Sequence, residues 1–192
     1  MEEKQRCPWQ FKIPEYLPYH DHEWGTPNHD DFAHFEYLVM ENFQAGLSFS
    51  MIFKKRENYR KAFAGFDPVK VARFTPAKIE KLVVNPSIIR NRQKIKAVVN
   101  NARRFLEVQK EFGSFDKFIW SFVNGKPIVK GWMRNSQIPV TNKVSDKISV
   151  DLKKRGFQFV GSTVIYAHMQ TFGLVNDHLV TCYRFDEINR MY

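Results

Sequence analysis

The sequence has only two cysteines in 192 residues, Cys7 and Cys182. So few exclude a disulfide framework and fit a reducing compartment, where thiolates stay available for metal. No uninterrupted apolar run approaches the length needed to cross a bilayer. The opening residues Met1 to Arg6 are charged, with no apolar stretch behind them to act as a signal peptide. A cytoplasmic chain without a membrane partner is expected. Internal repeats and low-complexity segments are lacking too. Acidic residues are in short supply: 20 Asp and Glu against 30 Lys and Arg leave a formal charge of +10. Between Lys81 and Leu106 there is no acidic residue at all, while Lys81, Arg90, Arg92, Lys94, Lys96, Arg103 and Arg104 lie there. Such a local field favours a polyanionic partner, nucleic acid first.

Hydrophobic residues are plentiful, 43% of the chain with 18 Phe, enough for a folded protein with one well-buried core. Residues 1–29 hold Pro8, Pro14, Pro18 and Pro27 among aromatics and read as an ordered but irregular arm. The spacing of Phe32, Phe35, Leu38 and Val39 predicts a helix from Asp31 to Phe43 or Gln44, broken by Gly46. Further helices are predicted over Phe49–Ala64, Pro76–Val84, Ile88–Glu107, Phe115–Val123 and Ser145–Lys154. Thr75 caps the Pro76 helix, which has Pro in its first position. Residues 156–166 are rich in β-branched and aromatic side chains, yet a loop to Gly161 followed by a helix capped by Ser162 or Thr163 and running through Phe172 is preferred. A last helix, capped by Asn176 or Asp177, would carry His178 and Cys182. The fold class expected is all-α, with near ten helices in one globular domain over 1–192. Its lobes would be 31–115 and 1–30 plus 116–192.

Three groups of residues carry chemistry. Cys7 and His20 near the start, with His178 and Cys182 near the end, form a Cys2His2 set suited to one tetrahedral Zn²⁺ tying the two termini together. The H-x3-C spacing of the second pair predicts one turn of separation on a helix face; on spacing alone, all four equally suit a buried core. Asn85-Pro86-Ser87-Ile88 joins two helices, the second one basic, as in a helix-hairpin-helix. Backbone N–H groups of the turn, with Arg90, Arg92 and Lys94 nearby, would then face a DNA phosphate. An ordinary αα-hairpin is the alternative. Finally, Trp9, Tyr16, Tyr19 and Trp24 crowd around His20, and Phe43 and Phe49 flank the break at Gly46. Aromatics with polar tips suit a slot for a flat heterocycle. Glu41 lies in the apolar stretch Tyr37-Leu-Val-Met-Glu-Asn-Phe43, where a buried carboxylate needs a partner, either a cationic ligand or an Arg or Lys.

The segments that carry a family likeness run nearly end to end. They are Cys7-Pro-Trp9, Tyr19-His-Asp-His-Glu-Trp-Gly25, Gln44-Ala-Gly-Leu-Ser48, Lys54-Lys-Arg-Glu-Asn-Tyr-Arg60, Phe66-Asp-Pro-Val-Lys-Val-Ala72, Ile88-Ile-Arg-Asn-Arg92, Trp120-Ser-Phe-Val-Asn-Gly-Lys-Pro127, Leu152-Lys-Lys-Arg-Gly-Phe-Gln-Phe-Val-Gly161 and Gly173-Leu-Val-Asn-Asp-His178. The chain thereby resembles the bacterial constitutive 3-methyladenine DNA glycosylase (type I) family. The resemblance implies a helix-hairpin-helix DNA glycosylase superfamily fold, with Cys7, His20, His178 and Cys182 as ligands of a structural zinc. It further implies that Glu41 contacts the methylated base in a pocket of Trp9, Tyr16, Tyr19, Trp24 and Phe49. Leu47 would wedge into DNA, and Ile88, Arg90, Arg92 and Lys94 would meet its backbone.

The implied activity is release of 3-methyladenine from double-stranded DNA by base flipping, leaving an abasic site, by a monomer without strand cleavage. Three positions depart from the family pattern: Phe49 stands for a stacking Trp, Phe43 for a Gln and His22 for an Asn, while Ser87 stands where the hairpin usually has Gly. A non-catalytic or altered-specificity binder of alkylated DNA is the alternative these departures suggest. A zinc-stapled helical interaction protein is a further one.

Overall fold

In the computed structural model, residues 4–9 and 14–192 are described; positions 1–3 and 10–13 of the N-terminal arm lie outside them. The chain is mostly helical, in eleven α-helices among the described residues: α1 Tyr16–His22, α2 Asp31–Gln44, α3 Phe49–Phe53, α4 Arg56–Ala62, α5 Pro68–Ala72, α6 Pro76–Val83, α7 Arg92–Phe112, α8 Phe115–Ser121, α9 Lys143–Lys154, α10 Ser162–Thr171 and α11 Tyr183–Asn189. The all-α expectation needs one amendment. Two short strands, β1 Ile128–Val129 and β2 Val175–Asn176, pair in parallel.

Helix α2 runs through the centre and is buried on every side from His34 to Phe43. Its start is set by Asp30, whose carboxylate accepts from the Phe32 N–H and satisfies one otherwise orphaned donor. Phe35 packs edge-on against Phe105 of α7, and Phe43 lies against Tyr59 of α4, with ring centroids 5.3 and 4.6 Å apart. α10 crosses α2 and brings His168 beside Glu41.

Several boundaries differ from the sequence expectation, each for a local reason. The arm contains α1, because Pro8 and Pro14 fall before it, Pro27 after it, and Pro18 in its first turn, where an N–H has no helical partner anyway. The helix expected over Phe49–Ala64 is split at Lys54–Lys55 into α3 and α4. α7 begins at Arg92 rather than Ile88, because the Asn91 side chain accepts from the Lys94 N–H and fixes the cap there. α10 begins at Ser162 with Gly161 as its cap, since the Ser162 hydroxyl is engaged by Asp146 and Ser145 of α9.

The last expectation fails most clearly. His178 and Cys182 are not one turn apart on a helix. Pairing of Val175–Asn176 with β1 keeps that segment extended, and the Asn176 side chain then accepts from the His178 N–H. Cys182 is the cap of α11, which starts one residue later.

Candidate functional site

Cys7, His20, His178 and Cys182 are all buried, and their ligand atoms lie within 4.8 Å of one another. The Sγ of Cys182 is 3.5 Å from His20 Nε2 and 3.6 Å from His178 Nδ1, and the Sγ of Cys7 is 3.7 Å from the same His178 atom. Tetrahedral zinc with ordinary Zn–S and Zn–N bonds has sulfur–nitrogen edges of about 3.6 Å. The donor set therefore fits such an ion. The outward nitrogens of both rings are also held: His20 Nδ1 by Asp21 Oδ1 at 2.8 Å, His178 Nε2 by the Trp24 carbonyl at 3.1 Å. These contacts fix tautomer and orientation, as metal-bound imidazoles require. Arg6 in turn grips Asp21 with two nitrogens and holds that carboxyl well below the usual range despite its partial burial. Cys7 is driven up by its bond to Cys182, and Cys182 is driven down by that bond and by both imidazoles.

The cluster is tied to a cavity beside it. Asp177, next to His178 in sequence, is buried and accepts from Trp132 Nε1 at 2.7 Å, Tyr166 Oη at 2.7 Å and Gln170 Nε2 at 2.9 Å. Tyr166 and Gln170 line the cavity from α10. Gly25 follows Trp24 at φ 76°, and a side chain there would meet His178 Nε2 at 2.9 Å. Glycine is needed both for that angle and for that approach.

The cavity has a volume of about 720 Å³. It gathers every expected base-contacting residue: Trp9, Tyr16, Tyr19, Trp24, Phe49 and Glu41. Tyr16 and Phe49 are nearly parallel, with ring centroids 5.8 Å apart, while Trp9 meets Trp24 edge-on at 4.9 Å. Glu41 is almost wholly buried at the inner end. Its partner is His168 Nδ1 at 3.1 Å from Oε2, not an Arg or a Lys. Burial pushes the Glu41 carboxyl up, and His168 offsets part of that rise. Leu47 stands 36% exposed on the turn between α2 and α3, near the half-exposed Met51. Phe43, by contrast, is fully buried against Tyr59 and Phe63, so its departure from the family pattern serves the core and not the cavity.

The hairpin between α6 and α7 is built as an Asx turn: the Asn85 side chain accepts from both the N–H and the hydroxyl of Ser87. Ser87 does not have positive φ, so a residue other than glycine sits there without strain. Arg90 is exposed and Arg92 pairs with Glu80 on the surface. Ile88 is buried, and the Ile89 N–H that follows it donates to Tyr59 Oη. Lys94 corrects the expectation of a free cation. Its ammonium turns inward and donates to the carbonyls of Phe43 at 2.8 Å and Ala45 at 2.5 Å, closing the end of α2 below Leu47. The helix C-terminus, rich in unpaired carbonyls, outcompetes solvent for it.

Sequence reasoning missed the α10 wall (Thr163, Tyr166, Ala167 and Gln170) and the histidines behind Glu41. The 3-1-3 spacing of that wall is a helical face and could have been read from the sequence. The histidine pairing, over 134 residues, could not.

A family profile described as methyladenine glycosylase matches residues 9–185. DNA-3-methyladenine glycosylase 1 of Escherichia coli (strain K12) is 48% identical over 178 residues, covering 93% of this chain and 95% of its own. The DNA-3-methyladenine glycosylase of Haemophilus influenzae is 47% identical over 177 residues, covering 92% of this chain and 96% of its own. A crystal structure of a 3-methyladenine DNA glycosylase I superimposes with a TM-score of 0.89 at 45% identity, covering 93% of this chain and 98% of that one. The Staphylococcus aureus enzyme, solved to show the basis of 3-methyladenine recognition, gives a TM-score of 0.89 at 40% identity over 93% of this chain and 95% of its own.

Proposed function

Because the chain belongs to the methyladenine glycosylase family, we propose that it hydrolyses the N-glycosidic bond of 3-methyladenine in double-stranded DNA and leaves an abasic site. The observation that carries this reading is a buried carboxylate, Glu41, at the inner end of an aromatic slot. A base methylated at N3 is cationic and leaves as a neutral molecule, so the leaving group needs little acid help. What the protein must do is take the nucleotide out of the stack, at a cost of a few kcal/mol, and hold it. Leu47 fills the gap in the duplex. Tyr16, Phe49 and Trp9 offer π faces to the cationic ring, and Glu41 accepts hydrogen bonds from the adenine edge.

The helix-hairpin-helix assignment rests on the α6–α7 turn, with backbone N–H groups near Ile88 and the charges of Arg90 and Arg92 for a phosphate. Lys94 acts indirectly by closing the turn that carries Leu47. Cys7, His20, His178 and Cys182 would hold one zinc, which supplies structural cross-linking with a closed four-ligand shell. The lobes 31–115 and 1–30 plus 116–192 then meet at the base slot of a monomer.

Phe49 favours a second reading in which the lesion range differs, since Phe offers a cation a smaller face than Trp. Incubation of the purified protein with duplexes carrying 3-methyladenine, 3-methylguanine, 7-methylguanine or hypoxanthine tests both. Free 3-methyladenine is expected as the main product. Tight binding with no free base from any duplex would overturn the glycosylase reading in favour of a binder.

A further inference from the structure

Glu41 is the inner end of a line of hydrogen bonds that crosses the protein. Its Oε2 lies 3.1 Å from His168 Nδ1. His168 Nε2 is 2.9 Å from His34 Nδ1, and His34 Nε2 is 3.4 Å from Asp116 Oδ1. The same Asp116 oxygen is 2.9 Å from Nδ1 of His29, whose side chain is 60% exposed. Both inner imidazoles are fully buried, and Phe172 stacks on them at centroid distances of 3.9 and 4.5 Å. The line thus joins the cavity to the surface through a buried, ring-walled interior.

Three contacts join Glu41, His168, His34 and Asp116, and each needs one hydrogen between its two heavy atoms. An ionised carboxylate brings none, and a neutral imidazole brings one. Two carboxylates and two neutral imidazoles therefore supply only two hydrogens. One contact would then set lone pair against lone pair in a buried place, where an unmade hydrogen bond is costly. A third hydrogen completes the line, and the four groups together then carry one negative charge instead of two.

We propose that Glu41, His168, His34 and Asp116 share three protons along this line, and that a cationic base in the cavity drives the third from Glu41 toward Asp116. The count depends on geometry alone; the shift rests on the glycosylase reading. With the cavity empty, the third proton belongs on Glu41. Burial raises that carboxyl, while His34 is pushed down to about 4 by burial and stays neutral. The charged and titratable groups facing the line are Tyr19 beside Glu41, Asp31 beside His34, and His29 beside Asp116.

In the full shift, the Glu41 O–H bond breaks as His168 Nδ1–H forms. His168 Nε2–H breaks as His34 Nδ1–H forms, and His34 Nε2–H breaks as Asp116 Oδ1–H forms. Three bonds break, three form, and one positive charge moves away from the cationic ring. A stop at His168 leaves an imidazolium there and Asp116 ionised. Departure of the base as a neutral molecule returns the proton to Glu41. The floor of the cavity thus follows the charge of its occupant. His168, His34 and Asp116 are positioning residues that set the charge on Glu41 without touching the base.

The test is nuclear magnetic resonance on the full chain, labelled with ¹⁵N-histidine and ¹³C-glutamate, at pH 7. In the free protein we expect a protonated Glu41 carboxyl and both inner imidazoles carrying hydrogen on Nε2 with bare Nδ1. Saturation with 3,9-dimethyladeninium, a cation, should ionise Glu41 and put hydrogen on His168 Nδ1. Neutral 3-methyladenine should leave Glu41 protonated. Two neutral imidazoles between two ionised carboxylates in the free protein would overturn the three-proton count. A cation that leaves Glu41 protonated, or does not bind, would overturn the shift. The count needs no substrate, so its failure is distinguishable from a failure to release base.

Discussion

The molecule contains two buried pairs of histidines that do opposite things with similar parts. His20 and His178 aim one nitrogen each at a common point shared with two thiols, while their other nitrogens are held by Asp21 and the Trp24 carbonyl. His34 and His168 instead lie nearly parallel, nitrogen to nitrogen, between two carboxyl groups. Convergent lone pairs make a site for a cation. Lone pairs and N–H groups alternating along a line make a path for a proton. Residue type does not decide between them; direction does.

The largest expected effect breaks the first cluster. Cys182→Ser should abolish bound zinc and lower Tm by about 10 °C or more, because binding to a folded site contributes directly to folding free energy. Metal analysis and a thermal melt on the same sample check this, and full zinc with an unchanged melt would remove the assignment. Glu41→Gln sits at the end of the second cluster and should lower release of 3-methyladenine by about 10²- to 10⁴-fold with little change in melt. Glutamine keeps the shape but cannot become an anion.

A pH dependence of stability sharpens the contrast. His34 is held down to about 4 from its ordinary value near 6.5, so the unfolded chain binds more protons than the folded one between those values. Its contribution to stability is therefore present above pH ~6.5 and lost as pH falls toward ~4, with a slope of at most ~1.4 kcal/mol per unit. Glu41, raised by burial, opposes this: its contribution falls as pH rises above the ordinary carboxylate value. Urea unfolding of His34→Phe across this window should show the rising component gone; an unchanged profile would mean that His34 does not stay neutral on folding. The smallest effect concerns the cavity wall. Phe49→Trp should tighten binding of a cationic base by about 0.5–1 kcal/mol, a few-fold in Kd, by enlarging the π face. Titration calorimetry with 3,9-dimethyladeninium measures it.

The first cluster was legible mainly through the family resemblance, because on spacing alone Cys7, His20, His178 and Cys182 suit a buried core as well. What could not be read was its local form. H-x3-C looks like a helix turn, but only the structure shows that β2 ends at Asn176 and that residues 178–182 bend and turn, with the Cys182 N–H on the Leu179 carbonyl. The aromatic slot was legible through Trp9, Tyr16, Tyr19 and Trp24, and Glu41 stood out as a carboxylate in an apolar stretch. Its partner was not. His168 lies 127 residues away on a helix whose residues read almost as well as a strand. Lys94 misled for a related reason. In a run of basic residues its charge suggested DNA, while its position at the end of α2 gave it two backbone carbonyls to satisfy.

Wild type and Glu41→Gln, purified in parallel, test the division of labour between the two clusters most directly. Zinc per chain and single-turnover release of 3-methyladenine from methylated duplex DNA are measured on each. One zinc is expected in both proteins, with release by Glu41→Gln slower than by the wild type by about 10²-fold or more. Equal release by the two would contradict that expectation.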